Sequence, residues 1–223
     1  VVLRYQADGT PDPTFGNGGA TTASIGHYLN IAHAAVPYPD DRILIAGFHN
    51  SRQTGYLADS ALVRFLADGS LDKDFGGKAK RAGKVQTDFG DNDVFNAVTV
   101  QPDGKIVAVG RSRASGTDQI SLARYTPTGQ LDPSFGNGGL LETDIDVSVE
   151  IANAVTMHLG NILVAGDAYI SASGSHDIAL VRYLDDGSLD DTFGAGGIAT
   201  FDLGGQEAAE AVVIDEFDRI VVA

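Results

Sequence analysis

The stretch SLARYTPTGQLDPSFGNGG, residues 121–139, returns three more times: as VVLRYQADGTPDPTFGNGG at 1–19, ALVRFLADGSLDKDFGG at 61–77 and ALVRYLDDGSLDDTFGAGG at 179–197. Aligning the copies puts Arg4, Arg64, Arg124 and Arg182 in register, at spacings of 60, 60 and 58 residues, each followed by an aromatic residue: Tyr5, Phe65, Tyr125 and Tyr183. Eight residues after each Arg stands an Asp (Asp12, Asp72, Asp132, Asp190), and three later a Phe (Phe15, Phe75, Phe135, Phe193) that precedes Gly. A period of this length marks stacked copies of one supersecondary unit.

The motif reads as a turn between two strands. Asp132 and Pro133 suit the first two positions of a type I turn, and Gly136, Gly138 and Gly139 permit backbone angles closed to other residues. Phe135 is the apolar anchor. The Arg and Asp of each unit fall on neighbouring strands of this hairpin, so an ion pair is expected four times over. A catalytic constellation needs one asymmetric site, whereas four equivalent copies are what a scaffold requires.

Upstream of each motif lies a second shared pattern, clearest in NAVTVQPDGKIVAVG (96–110), where apolar residues around Pro-Asp-Gly make a hairpin. Its relatives lie at 33–47, 153–166 and 210–223. Each unit therefore supplies strands a and b, then c and d, and no segment of ten or more residues shows helical periodicity. Four short antiparallel strands per unit describe a propeller blade, which cannot bury its faces until neighbours stack on it. The expected fold is all-β, a β-propeller of four blades in one domain over 1–223, with units at 26–85, 86–145, 146–203, and 204–223 joined with 1–25. A sandwich is the runner-up, but it has no need of a 60-residue period.

The chain starts without Met on a c strand, VVLRY, and stops on a b strand, RIVVA; it reads as a piece processed or excised from something longer. Pairing Arg219–Ala223 with Val1–Tyr5 completes the fourth blade and closes the ring, hiding two apolar edges that otherwise invite aggregation. The alternative is a fragment of a larger propeller.

Composition narrows the function classes. With 43% hydrophobic and 20% charged residues the chain is too apolar to be disordered. Its 15 Lys plus Arg against 30 Asp plus Glu give a net charge of -15, which repels nucleic acid and anionic lipid. The one basic run, 78–84, reads as a solvated loop. Without cysteine there is no disulfide framework, thiolate zinc site or cysteine nucleophile. No apolar run approaches the ~18 residues that span a bilayer, and no signal peptide opens the chain.

The pattern [AS]-L-x-R-[YF]-x-x-x-G-x-L-D-x-x-F-G-x-G-G, carried by residues 121–139 and 179–197, resembles the bacterial delta-60 repeat family. The order of strands is similar to blades of the NHL type. Departures are Pro11 in place of Leu, GGKAK in place of GNGG in the second unit, and a shortened a–b turn, HLGN, in the third. The resemblance implies a β-propeller in a secreted or surface-associated bacterial protein and carries over no catalytic residues.

If strands alternate in direction, the d–a and b–c loops share one face and the tight a–b and c–d turns share the other. The b–c loops at 48–60, 111–119 and 167–177 vary in length and content, as binding loops on a rigid scaffold do. On this face we expect His49, Tyr56, Arg111, Arg113, Tyr169 and His176 to be available to a protein or glycan ligand, with Tyr28 beside them. Before the Ala of each inner strand stands a polar residue, His33, Asn96, Asn153 or Glu210, and in a ring these converge on the channel mouth. There they either bind a cation, Ca²⁺ suiting their oxygens best, or hydrogen-bond neighbouring strand ends. Acidic loops at 89–94, 143–150 and 201–207 share that face, but none has the spacing of a calcium-binding EF-hand loop. No G-x-S-x-G, H-E-x-x-H or phosphate-binding loop is present. The expectation is a binding or structural module; the alternative is a metal-dependent lyase or hydrolase of the propeller type, by fold analogy alone.

Overall fold

In the computed structural model, which describes residues 1–26, 29–50, 57–77, 82–113, 116–146 and 149–223, three four-stranded antiparallel sheets stack between two half-sheets. Blade I contains β3 (Asn30–Pro37), β4 (Ile43–Asn50), β5 (Ala58–Phe65) and β6 (Lys84–Thr87). Blade II contains β7 (Val94–Val100), β8 (Ile106–Ser112), β9 (Gln119–Tyr125) and β10 (Leu140–Thr143). Blade III contains β11 (Glu150–His158), β12 (Asn161–Ile170), β13 (Ser175–Tyr183) and β14 (Ile198–Phe201). The strands of every blade pair in chain order, so β3, β7 and β11 are the inner strands. The half-sheets are β1 (Val2–Leu3) with β2 (Ala20–Thr21), and β15 (Val212–Ile214) with β16 (Ile220–Val222). No helix occurs among the described residues.

Period-two patterning explains how the sheets stack. On β8, Ile106 and Ala108 face blade I, where they join Leu44, Ala46, Leu62 and Phe75, while Val107 and Val109 face blade III with Ile162, Val164 and Val181. On β12, Leu163 and Ala165 turn the other way and cover Ala209 and Val212. Strands b and c are thus buried on both faces, which is why they read as continuous apolar runs.

The repeated motif fastens one blade to the next. Oδ1 of Asp132 accepts from the Ser134 N–H and hydroxyl, and the Phe135 N–H closes the turn onto the Asp132 carbonyl at 3.1 Å. Arg124 Nε donates to Asp132 Oδ2 at 2.9 Å, and its guanidinium lies 4.8 Å above the Phe135 ring. Arg124 also donates to the Asp185 carbonyl of blade III, and the Gly136 N–H reaches the Asp186 carbonyl beside it at 2.9 Å. One blade earlier, Arg64 bonds the Pro127 carbonyl and Gly76 the Thr128 carbonyl; Arg4 and Gly16 do the same to Ala67 and Asp68. The receiving turn must be glycine at its tip: Gly129 has φ +81°, and a Cβ there would lie 2.7 Å from the Phe75 ring.

The closing pairing of Val1–Tyr5 with Arg219–Ala223 is not made. β1 and β16 belong to separate two-stranded sheets, and the inner strands touch in the sequence β3, β7, β11, β15 with no comparable contact from β15 back to β3. The apolar clusters run in chain order, from the β1–β2 half-sheet with blade I to blade III with β15–β16, and among the described residues none joins the two half-sheets. What the chain forms is an open fan of blades.

Truncating Phe135, fully buried between blades II and III, is expected to cost about 3 to 5 kcal/mol in denaturant unfolding. A loss below about 1 kcal/mol for Phe135→Ala counts against the motif as an interblade anchor.

Candidate functional site

The loop end of the fan is stitched together by backbone bonds between d–a and b–c connections. The Glu150 N–H reaches the Asp118 carbonyl, the Tyr169 N–H the Val149 carbonyl and the Glu207 N–H the His176 carbonyl, each at 2.8 to 2.9 Å. These loops therefore share one face, opposite the Asp-Gly turns.

The inner strands each carry a bulge, and the polar residue at its centre is His33, Asn96 or Asn153. Each reaches sideways to the next blade. Asn96 Nδ2 donates to the Ala152 carbonyl at 3.0 Å, Asn153 Nδ2 to the Ala209 carbonyl at 3.2 Å, and His33 Nδ1 lies 3.2 Å from the Phe95 carbonyl and 3.0 Å from Asn96 Oδ1. The acceptor is always the residue just before the next member, so the four positions form a ladder that ends at exposed Glu210. Three of the four polar groups are engaged in holding neighbouring strand ends together.

Three positions before each bulge residue is a second recurring group: Asn30, Asp93, Glu150 and Glu207. It folds the d–a loop by accepting a backbone N–H from about four residues earlier. Asp93 takes that of Phe89 at 2.6 Å, Glu150 that of Asp146 at 3.1 Å and Glu207 that of Leu203 at 3.4 Å. Asp93 and Glu150 are fully buried, and each keeps one carboxylate oxygen without a partner among the described residues. Burial pushes the Glu150 carboxyl up to about 7, with the Asp144 and Asp146 charges adding to it and the Asp146 N–H opposing. Burial likewise raises Asp93 to about 6, against the Phe89 N–H and with Asp88 and Asp59 adding. Sequence reasoning saw the acidity of these loops and missed their alignment on the bulge residue, which was the available signal.

The residues expected on the binding face divide into three groups. His49 is buried, 3.7 Å from Asp59, the residue that the strand pairing sets opposite it. Arg111 and Arg113 both grip the buried Asp118, at 2.7 and 3.0 Å. Tyr169 and His176 are half-buried and meet edge to face at 5.6 Å. The His176 Nδ1 is 2.8 Å from Asp167 Oδ2, and Asp167 Oδ1 accepts from Asn153 at 3.4 Å, so a polar line runs from the inner strand to the loop surface. Tyr56 and Tyr28 lie outside the described residues.

One set of carboxylates comes close enough to share a cation. Asp177, Asp202 and Glu207 lie with ligand oxygens within 4.8 Å of one another, at the loop end of blade III. Asp177 is the buried member, and hydroxyls of Ser173 and Ser175 donate to it. This trio is a place where hard-cation chemistry fits among the described residues.

The architecture is that of a β-propeller. Residues 1–15, 39–75, 101–135 and 160–193, just over half of the chain, match the model of the domain of unknown function (DUF5122) beta-propeller, and the chain belongs to that family. Every matched segment ends on the motif Phe, so the shared part is the turn end of the blades and strands b and c. No curated protein matches the chain.

Glu150 and Asp93 bind a proton more tightly folded than unfolded, so between the ordinary carboxylate range and about pH 6 to 7 their contribution to stability falls as pH rises. Glu150→Gln keeps an oxygen for the Asp146 N–H and removes the buried charge. Urea unfolding at about pH 5 and about pH 8 should show the variant gaining on the parent at the higher pH; an unchanged difference rules out Glu150 as the titrating group.

Proposed function

We propose that the chain is a non-catalytic binding module of an exported or surface bacterial protein, that it belongs to the delta-60 repeats within its propeller family, and that it takes a protein or glycan ligand on its loop face. One observation carries the reading: the two ends of the blades are built differently. At the turn end the same Arg, Asp, Phe and Gly recur and satisfy one another. At the loop end the b–c connections differ from blade to blade, and blade III presents Tyr169 and an Asp167-held imidazole at the surface. Aromatic, amide and carboxylate groups on a rigid frame suit hydroxyl-rich or peptide ligands. The net charge of -15 favours a neutral or cationic one.

A second reading, a metal-dependent lyase or hydrolase, is favoured by the Asp167–His176 pair, since a carboxylate that fixes one ring nitrogen leaves the other for a metal. Thermal melting with and without Ca²⁺, Mg²⁺ and Zn²⁺ separates the two, because a ligand selective for the native state raises the Tm. No shift with any of the three sets the metal-dependent reading aside.

The binding reading is tested with the purified chain on an array of neutral and amino-sugar oligosaccharides and on immobilised envelope proteins. A double variant, Tyr169→Ala with His176→Ala, should weaken any specific binding at least about tenfold, the loss of a central aromatic anchor and a buried polar contact. Binding unchanged in that variant, or none in either arm, defeats the proposal.

A further inference from the structure

Blade I carries at its loop end a group of polar side chains that the fold leaves unfinished. Strand pairing sets His49 opposite Asp59, and Asp88, which follows Thr87, continues opposite Asp59 on the other side. The three side chains therefore lie in one row across β4, β5 and the end of β6. Asp93, from the loop that leads into blade II, joins them: the Asp88 and Asp59 charges both act on its carboxyl. His49, Asp59 and Asp93 are buried, whereas Asp88 is exposed and leaves the group open to solvent.

Two of these side chains are buried without partners. Neither ring nitrogen of His49 has a hydrogen-bond partner among the described residues, although the residue is only 3% exposed, and the same holds for Asp93 Oδ1. His49 Nε2 faces Asp59 Oδ2 at 3.7 Å. That is too long for a hydrogen bond; two ligands bound at about 2.1 Å to one tetrahedral metal lie about 3.4 Å apart. The other side of the ring is closed by backbone, since a Cβ on Gly26 would lie 2.7 Å from Nδ1. Among the described residues no Lys or Arg pairs with Asp59, Asp88 or Asp93, so three carboxylates share the group with one imidazole. A bound cation is what offsets such a buried excess of negative charge.

Blade III shows that this position gathers carboxylates. DFGDND (88–93) and DLGGQE (202–207) make the same loop: the Gly N–H bonds the first Asp, and the residue after that Asp bonds the last acid. Asp177, Asp202 and Glu207 are thus the counterparts of Asp59, Asp88 and Asp93, and among the described residues only the blade III acids already stand within 4.8 Å of one another. Opposite Asp177, however, is Ala168, and the Ser173 and Ser175 hydroxyls satisfy the carboxylate. In blade II, Ser112 stands opposite Gln119, which breaks the set. Of the three complete blades, blade I alone adds an imidazole to the three acids. We propose that His49 Nε2 with Asp59, Asp88 and Asp93 holds a divalent transition metal of the Zn²⁺ class at the loop end of blade I. Imidazole combined with carboxylates favours such an ion over Ca²⁺ or Mg²⁺. Four protein ligands make the site structural, and binding draws the sheet of blade I and the loop into blade II together. The site is independent of the ligand-binding reading of the loop face.

The test strips the chain with EDTA and titrates it with Zn²⁺ alone, by calorimetry and by thermal melting, beside the variants His49→Gln, Asp93→Asn and His176→Ala. Zn²⁺ should raise the Tm of the parent, because it binds the native state selectively. In His49→Gln and in Asp93→Asn its affinity should fall at least about tenfold and the rise in Tm should shrink. Asp93→Asn keeps an oxygen for the Phe89 N–H and carries the test should His49→Gln fail to fold. No Zn²⁺ binding by the parent, or binding undiminished in both variants, overturns the proposal. Binding that survives both and is lost in His176→Ala assigns the ion to the Asp167–His176 pair; it overturns this site and leaves the metal-dependent reading of the function standing.

Discussion

The structure depends on a guanidinium that has been taken out of water. Arg124 is fully buried, and its charge is tolerated because Nε meets Asp132, one terminal nitrogen meets the Asp185 backbone, the other meets Ser134, and Phe135 lies under its face. A buried charge with a partner for each of its nitrogens is stable only while all those partners are present. Those partners come from two blades, so the ion pair cannot be dry unless the blades are in contact. The Asp side responds in kind: burial opposes its ionisation, yet the Ser134 hydroxyl and N–H, Lys105 and the Arg124 charge outweigh burial and take Asp132 down to about 2. Coupling between nearest neighbours of this sort makes a stack of repeats cooperative even though the main contacts of each blade are with its immediate neighbours.

The loop end is built on the opposite principle. There, buried carboxylates are held by backbone N–H groups alone and pushed toward neutrality, so Asp93 and Glu150 oppose folding near neutral pH in their ionised form. Stability is supplied at the turns and drawn down at the loops. Such a division is what a binding scaffold tolerates: the frame is indifferent to loop sequence, and loop residues are free to serve contacts other than folding.

How much of this was legible in the chain follows from which interactions are local. The period, the strands and the Asp-turn are local, and the alternation of Ile106, Val107, Ala108 and Val109 records that both faces of strand b are covered. The identity of the cover is not recorded. A strand pattern says that Val221 and Tyr5 suit covered positions without saying what covers them, and for that reason ring closure within the chain was a fair expectation, although β1 and β16 lie in separate sheets. The same gap explains His49, which looks like a loop histidine in sequence but lies buried at the end of a strand opposite Asp59. Asn96 and Asn153 were visible as odd polar residues in apolar strands; their partners, the Ala152 and Ala209 carbonyls of the next blade, leave no trace in side-chain chemistry.

The ladder along the inner strands also shows why its members are not interchangeable. A side chain that must reach a carbonyl needs an N–H, and the amides of Asn96 and Asn153 supply one while a carboxylate cannot. His33 supplies it from Nδ1, which fixes that nitrogen as the donor between the Phe95 carbonyl and Asn96 Oδ1. Glu210, at the open end, has nothing to donate, so a neutral carbonyl is the wrong neighbour for it and a cationic or N–H group is the right one. Among these four positions His33 is therefore a donor and Glu210 an acceptor, and His33 is the one member whose side chain can carry positive charge.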